Sequence, residues 1–530
     1  MSNEYFSGTT NSGTTAKKYN KKVSERELYL ERARECSEVT IPTLIPDDAH
    51  TSTSKFDTPY QGIGARGVNN LASKLLLSLL PPNAPFFRLS IDNFALKDIE
   101  QDENLRTQIE KGLSEVEKAV MNNIEISNDR VSIFEALKHL IVGGNVLLFV
   151  GKEGIRVFPL SHYVIDRDPM GNVLEIITKE TVATKVLPEE IQKEIYNQIQ
   201  DDEDYSTCDL YTCIKRVKNK FEVSQEVKGI IIPDSIGTYD LDKTPYIPLR
   251  MIRVDNEDYG RSYVEEYLGD LISLEGLTKA IVEGASASAK TLFMVSPNGT
   301  TRAKALAESE NGSIIEGSAN DVSVLQVGKF PDFRVAQETI AKIEQRLSYA
   351  FLLNASVVRD SERTTAEEVR MVAQELQDSL GGIYGILSQE FQLPFVNRKI
   401  SVLQKSKKLP ALPKGVVFPK VITGIEALGR TNDRNKLIQF LQTLYGVLGA
   451  PAIQQYVNVT EAISRLAIAD GIEVKGLIKT PEELQAEQQA QMEQAMADQQ
   501  NQAILNAGEK IAGNIPPKSL GETIAATNNQ

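Results

Sequence analysis

Tryptophan is absent from this chain of 530 residues, and aromatic residues make up only 6% of it. A module that grips single strands stacks bases on aromatic rings, so that class has little to build on here. Histidine occurs three times, as His50, His139 and His162, too few and too scattered for a metal or catalytic cluster. His139 follows Phe134 and Leu137 at helical spacing and reads as a packed side chain. Cysteine also occurs three times, as Cys36, Cys208 and Cys213, an odd count with no C-x-x-C. Reduced thiols are the plain reading, with a Cys208/Cys213 redox or metal pair as the alternative. The longest apolar runs, residues 75–80 and 141–150, fall short of the roughly 18 residues of a membrane span. The first residues are polar and hold no apolar stretch of the kind a signal peptide needs, so none is expected. No G-x-x-x-x-G-K-[ST] occurs, which removes the phosphate-binding P-loop.

Hydrophobic residues at 41% and charged residues at 25% are those of an ordinary soluble protein, and the length allows several subdomains. The formal charge is −14. A protein that holds phosphates gains affinity by releasing counterions to Lys and Arg, and an acidic one repels a duplex.

The richest stretch is 334–395. Ala336, Ile340, Ile343, Leu347 and Ala350 recur at three-and-four spacing and predict an amphipathic helix over 334–353. Residues 354–364 have no apolar period and keep two arginines. Thr365-Ala-Glu-Glu368 is a capping box, followed by Val369, Val372, Leu376, Leu380, Ile383, Leu387 and Phe391, which predicts one long helix ending at Pro394.

Elsewhere, a capping box at Ser24-Glu-Arg-Glu27 predicts a helix to about Glu35, after a Ser/Thr/Asn/Gly/Lys-rich segment 1–22 expected to be flexible. Pro42, Pro46 and Pro59 mark an extended connector. Helices are predicted over 65–80, closed by Pro81-Pro82, over 105–124 and over 131–142. From 145 to 254 the period shifts to strands: 146–150, around Val157, 163–165, 173–178, and a hairpin of 210–217 with 221–232. A short helix, 188–199, and an acidic run, Asp201-Asp-Glu-Asp204, interrupt them. That run reads as a solvated loop, with a divalent-cation site as the alternative. Residues 263–282 are again helical, with Val264, Leu268, Leu271, Leu274, Leu277 and Ile281 inward, and fade into the small side chains of 284–289. Residues 291–327 are compact and mixed. Beyond Pro410, Pro413 and Pro419, helices are predicted over 433–448 and 460–469, then a Glu/Gln/Ala/Met-rich tail with little apolar stripe.

Several stretches are shared with a known family. They are Gly64-Ala-Arg-Gly-Val-Asn-Asn-Leu-Ala-Ser-Lys74, Phe134-Glu-Ala-Leu-Lys138, Gly144-Asn-Val-Leu-Leu148, Tyr259-Gly-Arg-Ser-Tyr-Val-Glu-Glu-Tyr-Leu-Gly-Asp270, Thr365-Ala-Glu-Glu-Val-Arg370 and Leu387-Ser-Gln-Glu-Phe-Gln-Leu-Pro394. In this order and spacing, from about Glu27 to Asp470, the chain resembles the portal (head-to-tail connector) proteins of podovirus-type bacteriophages. The resemblance implies a mixed α/β, predominantly helical portal fold of wing, stem, clip and crown, assembling as a cyclic ring of about twelve with a central channel. The implied division is 1–22 flexible N-terminus, 23–259 wing with a β-rich insert, 260–290 stem helix, 291–332 clip, 333–353 stem helix, 354–364 tunnel loop, 365–430 long wing helix and connector, 431–475 crown, and 476–530 flexible tail.

In that reading the tunnel loop, Val357, Val358, Arg359, Asp360, Ser361, Glu362 and Arg363, touches passing DNA, and Arg334, Glu338, Lys342 and Gln345 line the channel from the stem. The plain alternative is a helix connector with solvated charges. The implied partners are other copies of the chain, a terminase that supplies the ATP hydrolysis, a tail adaptor, major capsid and scaffolding proteins, and double-stranded DNA without sequence specificity. No cofactor, metal, catalytic residue or membrane is expected. The implied location is the portal vertex of the virion, after synthesis in the host cytoplasm. The negative charge sits either in the bore, where it keeps DNA from sticking, or on the outside, where it keeps the assembly soluble.

Two other functions compete. Gly62-Ile-Gly-Ala-Arg-Gly67 fits G-x-G-x-x-G and would suit a nucleotide-binding enzyme, but it follows Thr58-Pro59-Tyr60 rather than a strand, so a close-packed helix start is preferred. Arg66 beside it faces a neighbouring subunit or solvent. A helical scaffold without a channel is the third reading.

Overall fold

A computed structural model describes residues 14–51, 53–82, 86–90, 103–198, 206–288, 292–310, 312–325, 330–353, 366–380, 382–409, 420–423 and 437–447, with isolated positions beyond. The chain divides into two compact units, Met1–Leu428 and Gly429–Gln530. In the second unit residues 437–447 are helical, within the predicted 433–448. The predicted acidic run 201–204, the tunnel loop and the Gln-rich tail lie outside the described residues.

The first unit is mixed and helix-rich around one large core. Its elements include helices α1 (Thr14–Glu38), α2 (Ile63–Leu79), α3 (Glu103–Ile126) and α4 (Asp129–Gly143). On α3, Leu113, Val116, Val120 and Ile124 are all buried, as their spacing predicts. Strands β1 (Phe87–Ser90), β2 (Asn145–Val150) and β3 (Ile155–Pro159) follow, then β4 (Tyr163–Arg167), β5 (Val173–Ala183) and, after helix α5 (Glu189–Gln198), β6 (Thr207–Val217), β7 (Lys220–Val227), β8 (Ile230–Ile231), β9 (Gly237–Asp240) and β10 (Tyr246–Arg250). The strands are all antiparallel. β2 is central between β10 and β3 and packs inside the core, which is why its sequence after Asn145, Val-Leu-Leu-Phe-Val, is continuously apolar rather than alternating.

The second sheet runs β4-β5-β6-β7-β8, with β9 beside the other half of β7. Its two faces are covered differently. Helix α5 and the residues leading into it place Ile191, Ile195 and Leu187 with Cys208 and Val227 on one face. The start of α1 places Tyr19 with Val164, Ile177 and Tyr211 on the other. Cys208 and Cys213 are five residues apart on β6, so strand alternation sends them to opposite faces, and no disulfide or shared metal site can join them there. Burial pushes the thiols of Cys36 and Cys213 up to about 12 and leaves them protonated. The hairpin of β6 with β7 turns through Lys218, in the left-handed region at φ 53°.

Two expectations about helix limits are overturned. Residues 14–22 are helical, not flexible, and Ser24 lies inside α1, where its hydroxyl donates to the Lys21 carbonyl instead of capping. Composition misleads because long-range contacts hold this end. Tyr19 is buried, Lys18 and Lys22 pair with Glu175 and Asp166, and Arg26 Nη1 donates to the Ser161 and Tyr163 carbonyls. The helix predicted over 365–394 is instead α9 (Ala366–Ser379), a break at Gly382 with φ 93°, α10 (Ile383–Leu387), a π turn (Ser388–Gln392) and α11 (Leu393–Lys405). Glycine alone takes that φ freely. Pro394 does not end the helix: it sits where the π turn passes into α11.

His139 is buried on α4, and burial pushes it down from 6.5 to about 4. The unfolded chain therefore takes up a proton below pH 6.5 that the folded chain resists until about pH 4. The stability tied to this residue is whole above pH 6.5 and is lost as the pH falls towards 4, in total about 3 kcal/mol. His162 is shifted the same way, first by burial. Urea midpoints measured at pH 7 and pH 4.5 should drop less in His139→Leu than in the natural chain.

Candidate functional site

Two further helices run side by side: α6 (Leu268–Ser288) and, after the short α7 (Ala303–Glu308), α8 (Phe330–Ala350). Each is anchored in the core at one end only. On α6, Leu268, Leu271 and Leu274 are buried; beyond them no described position is. On α8 the order is reversed, with Ile343 and Leu347 buried and 334–342 largely exposed. Asp270 of α6 accepts a hydrogen bond from Arg346 of α8 at 2.7 Å. Near the free ends, β11 (Leu292–Val295) and β12 (Val322–Leu325) form an antiparallel pair. Asp321 Oδ2 accepts from the backbone N–H groups of Thr300 and Thr301 at 2.7 and 3.1 Å and from both hydroxyls. The Thr300 hydroxyl and these neighbours hold its carboxyl below the usual carboxylate range.

Arg334, Glu338, Lys342 and Gln345 share one face of α8, opposite Ile343 and Leu347, and all four are exposed. Arg334 pairs with Glu338 at 3.3 Å, so the first turn of this stripe is self-neutralised. Val357, Val358, Arg359, Asp360, Ser361, Glu362 and Arg363 lie outside the described residues. Their upstream flank is described in full.

Helix α8 ends in a Schellman motif: Leu352 N–H donates to the Tyr349 carbonyl at 3.1 Å and Leu353 N–H to that of Ser348 at 2.8 Å. The residue in the left-handed position is Leu352, with φ 55°, where glycine is usual. The remaining carbonyls of the last turn are taken by side chains. Tyr263 Oη donates to Ala350 at 2.8 Å; Asn70 Nδ2 donates to Phe351 and Leu352 at 3.0 and 3.1 Å; Lys74 Nζ donates to Leu352 at 3.2 Å. Lys74 also pairs with Glu375 of α9 at 3.2 Å. The Phe351 ring is fully buried beside Tyr263 and Tyr267.

Close packing explains the two glycines in the first turns of α2. A Cβ on Gly67 would lie 2.5 Å from the Phe351 ring, and one on Gly64 2.5 Å from the Val39 carbonyl oxygen. Gln61 Oε1 accepts from Gly64 N–H, and Glu275 of α6 accepts from Tyr60 and Gln61 N–H. Gly64 and Gly67 pack against Val39 and Phe351, and no strand precedes the motif among the described residues, which favours the close-packed helix start over a nucleotide loop. Arg66 is exposed. Sequence reasoning missed the roles of Asn70, Lys74 and Glu375. The one available signal was Lys74 set among the apolar positions Leu71, Ala72, Leu75 and Leu76 of α2.

The sequence pattern of the family described as "Bacteriophage head to tail connecting protein" matches residues 12–478. The portal protein of Escherichia phage T7 is 41% identical over 510 residues, 95% of each chain. The portal protein of Enterobacteria phage T3 is 41% identical over 478 residues, 88% of each. A chain from the neck of an empty GTA particle is 10% identical, covers 78% of this chain and 90% of its own, and superposes with a TM-score of 0.37.

Proposed function

From the premise that this chain belongs to the bacteriophage head to tail connecting proteins, we propose that it is the subunit of a portal ring at one capsid vertex. The match of that family's pattern over residues 12–478 carries the reading. The ring holds about twelve copies, admits double-stranded DNA driven by a separate terminase, retains it, and passes it to the tail through an adaptor. Helices α6 and α8 are the stem, and the β11–β12 segment between them is the clip. The anchored-at-one-end pair supports this, since each helix exposes apolar residues, Ile272 and Val282 on α6 and Val335 and Tyr349 on α8, that a neighbouring subunit can cover. A cyclic ring needs two different complementary faces on each copy.

Arg334, Glu338, Lys342 and Gln345 line the bore, and Val357, Val358, Arg359, Asp360, Ser361, Glu362 and Arg363 approach the DNA from residues 354–364. Mixed signs in both places leave no fixed grip on phosphates, which suits passage over binding. The formal charge of −14 per chain works in the same direction.

Exchanging Arg359 and Arg363 for glutamate changes each chain by four charges. Rings should form at the natural yield in native mass spectrometry and particle images, while packaged DNA in complemented particles falls. Normal packaging by the double variant would remove the loop's charges from the mechanism, and a monomer at micromolar concentration would remove the ring.

A further inference from the structure

Strand β5 is longer than the strand beside it. Its ladder with β4 ends at the pair Tyr163↔Thr178, whereas β5 runs on to Ala183 with only β6 alongside. The chain that would have continued β4 turns away instead, as the 3-10 turn Leu160–His162. Alternation decides which backbone groups this leaves over. Thr184 N–H, one residue past the strand, donates to the Ser206 carbonyl, so even-numbered positions bond towards β6 and odd-numbered ones point away. The N–H and C=O groups of Thr181 and Ala183 thus form an open edge. Beside it lies a cavity of about 300 Å³, lined by Arg156, Ser161 and His162 on one side and by Lys179, Glu180 and Thr181 on the other.

Sheet edges are normally closed, and the outer edge of β4 is. Ile165 N–H donates to Tyr259 Oη at 3.2 Å, Arg167 N–H to Asp258 Oδ1 at 2.8 Å, and the Tyr163 carbonyl accepts from Arg26. A lysine on an edge often serves as a guard. Lys179 does not, because its ammonium turns back over β6 to Asp209 at 2.9 Å, and the Thr181 hydroxyl donates to the same carboxylate. Charge gives a second, independent sign. Arg26 is 5% exposed and bonds to Tyr19 Oη and to the Ser161 and Tyr163 carbonyls. Its Nε has no partner, and it meets no carboxylate among the described residues. Arg156 pairs with Glu180 and Lys179 with Asp209, so around the cavity three cations stand against two carboxylates. His162 feels the excess: after partial burial, Arg156, Arg26 and Lys179 hold it below its usual range.

We propose that the open edge of β5 is a docking site for an extended segment of a separate polypeptide. The segment adds as a strand beside Thr181 and Ala183, fills the cavity, and sets an acidic side chain against Arg156 and His162, supplying the negative charge that the site lacks. Main-chain bonds give such a site its affinity, and the charge gives its choice of partner. The site belongs to the single chain and does not rest on the portal reading.

Two end-blocked hexapeptides serve as probes, one alternating valine with glutamate and one valine with lysine, each followed by fluorescence anisotropy on the full chain. The glutamate peptide should bind saturably and about tenfold tighter than the lysine peptide, a preference that shrinks with added salt. Its presence should slow deuterium uptake in residues 179–184. Thr181→Pro takes away an N–H that the ladder with β6 does not use and puts a ring in the path of an added strand. It should lose about tenfold in affinity while the urea midpoint stays. Thr181→Val should bind as the natural chain does. Arg156→Glu, at an exposed side chain, should reverse the preference between the two peptides. Should Thr181→Pro not fold, Arg156→Glu and the deuterium uptake decide. No saturation by the glutamate peptide up to about 1 mM, equal binding of both peptides, or protection away from 179–184 would each overturn the proposal. Loss of rings in a Thr181→Pro chain with the natural urea midpoint would put a second copy of this chain on the edge, and would overturn the assignment to a separate polypeptide.

Discussion

Gly144→Ala is expected to destroy the folded first unit. Gly144 ends α4 in the left-handed region at φ 71°, which already costs a side-chain-bearing residue about 1–3 kcal/mol. The added Cβ would lie 2.5 Å from the carbonyl carbon of Arg261, 2.7 Å from Ser262 N and 2.8 Å from the Arg261 oxygen. All three are backbone atoms, so no side chain can swing away. Nor can the two backbones part cheaply. Asn145 Nδ2 donates to the Gly260 carbonyl and Asn145 Oδ1 accepts from Gly260 N–H, both at 2.7 Å, while Ser262 Oγ donates to Ile141. Strain and overpacking together come to about 4 kcal/mol, comparable with the total stability of many domains. Soluble yield and the urea midpoint should both collapse. Gly62→Ala is the matching control, since nothing lies within 4 Å of its added Cβ and its φ is −101°; it should behave as the natural chain does.

Lys399→Met should come next in effect. Lys399 of α11 pairs with Asp129 in the first turn of α4; Asp129 is fully buried and Lys399 nearly so. Removing the ammonium strands a buried carboxylate, a loss of about 3–5 kcal/mol. The Asp129→Asn/Lys399→Met double variant should recover much of that, because neither charge is then left alone. Denaturant midpoints of the two singles and the double give the coupling, expected at about 2–3 kcal/mol. A double variant as unstable as the sum of the singles would mean that the pair is not what ties α11 to α4.

These two sites also show what could be read from the amino acids alone. Periodicity found α2, α3, α4 and the anchored parts of α6 and α8, because each buries one face in the common core and so needs apolar residues at helical spacing. The shared stretches Gly144-Asn145 and Tyr259-Gly-Arg-Ser262 were legible only as strings. In space they are one junction, two backbones in contact with an asparagine between them. The same holds for Gly64 and Gly67, whose spacing imitates a nucleotide loop while serving Val39 and Phe351. What stayed hidden depends on partners far along the chain. The start of α1 is polar and folds because Glu175, Asp166 and Tyr211 await it on the second sheet. Lys74 and Glu375 are 301 residues apart, a pairing no local pattern announces. The break at Gly382 was visible as Gly381-Gly382, and the apolar repeat running across it concealed the break.

Anchoring α6 and α8 at one end makes each of them a lever in the single chain. From Leu274 to Ser288 is fourteen residues, or about 21 Å of helix. A tilt of about 5° at the anchored end therefore sweeps the far end by roughly 2 Å, most of the width of a hydrogen bond. Phe351 and Tyr263, packed where α8 enters the core, sit at the fulcrum. A change too small to disturb the core there, such as the volume of one methyl group against the Phe351 ring, is magnified by the time it reaches the β11–β12 segment. The glycine at position 67 thus sets the pitch of a structure it does not touch.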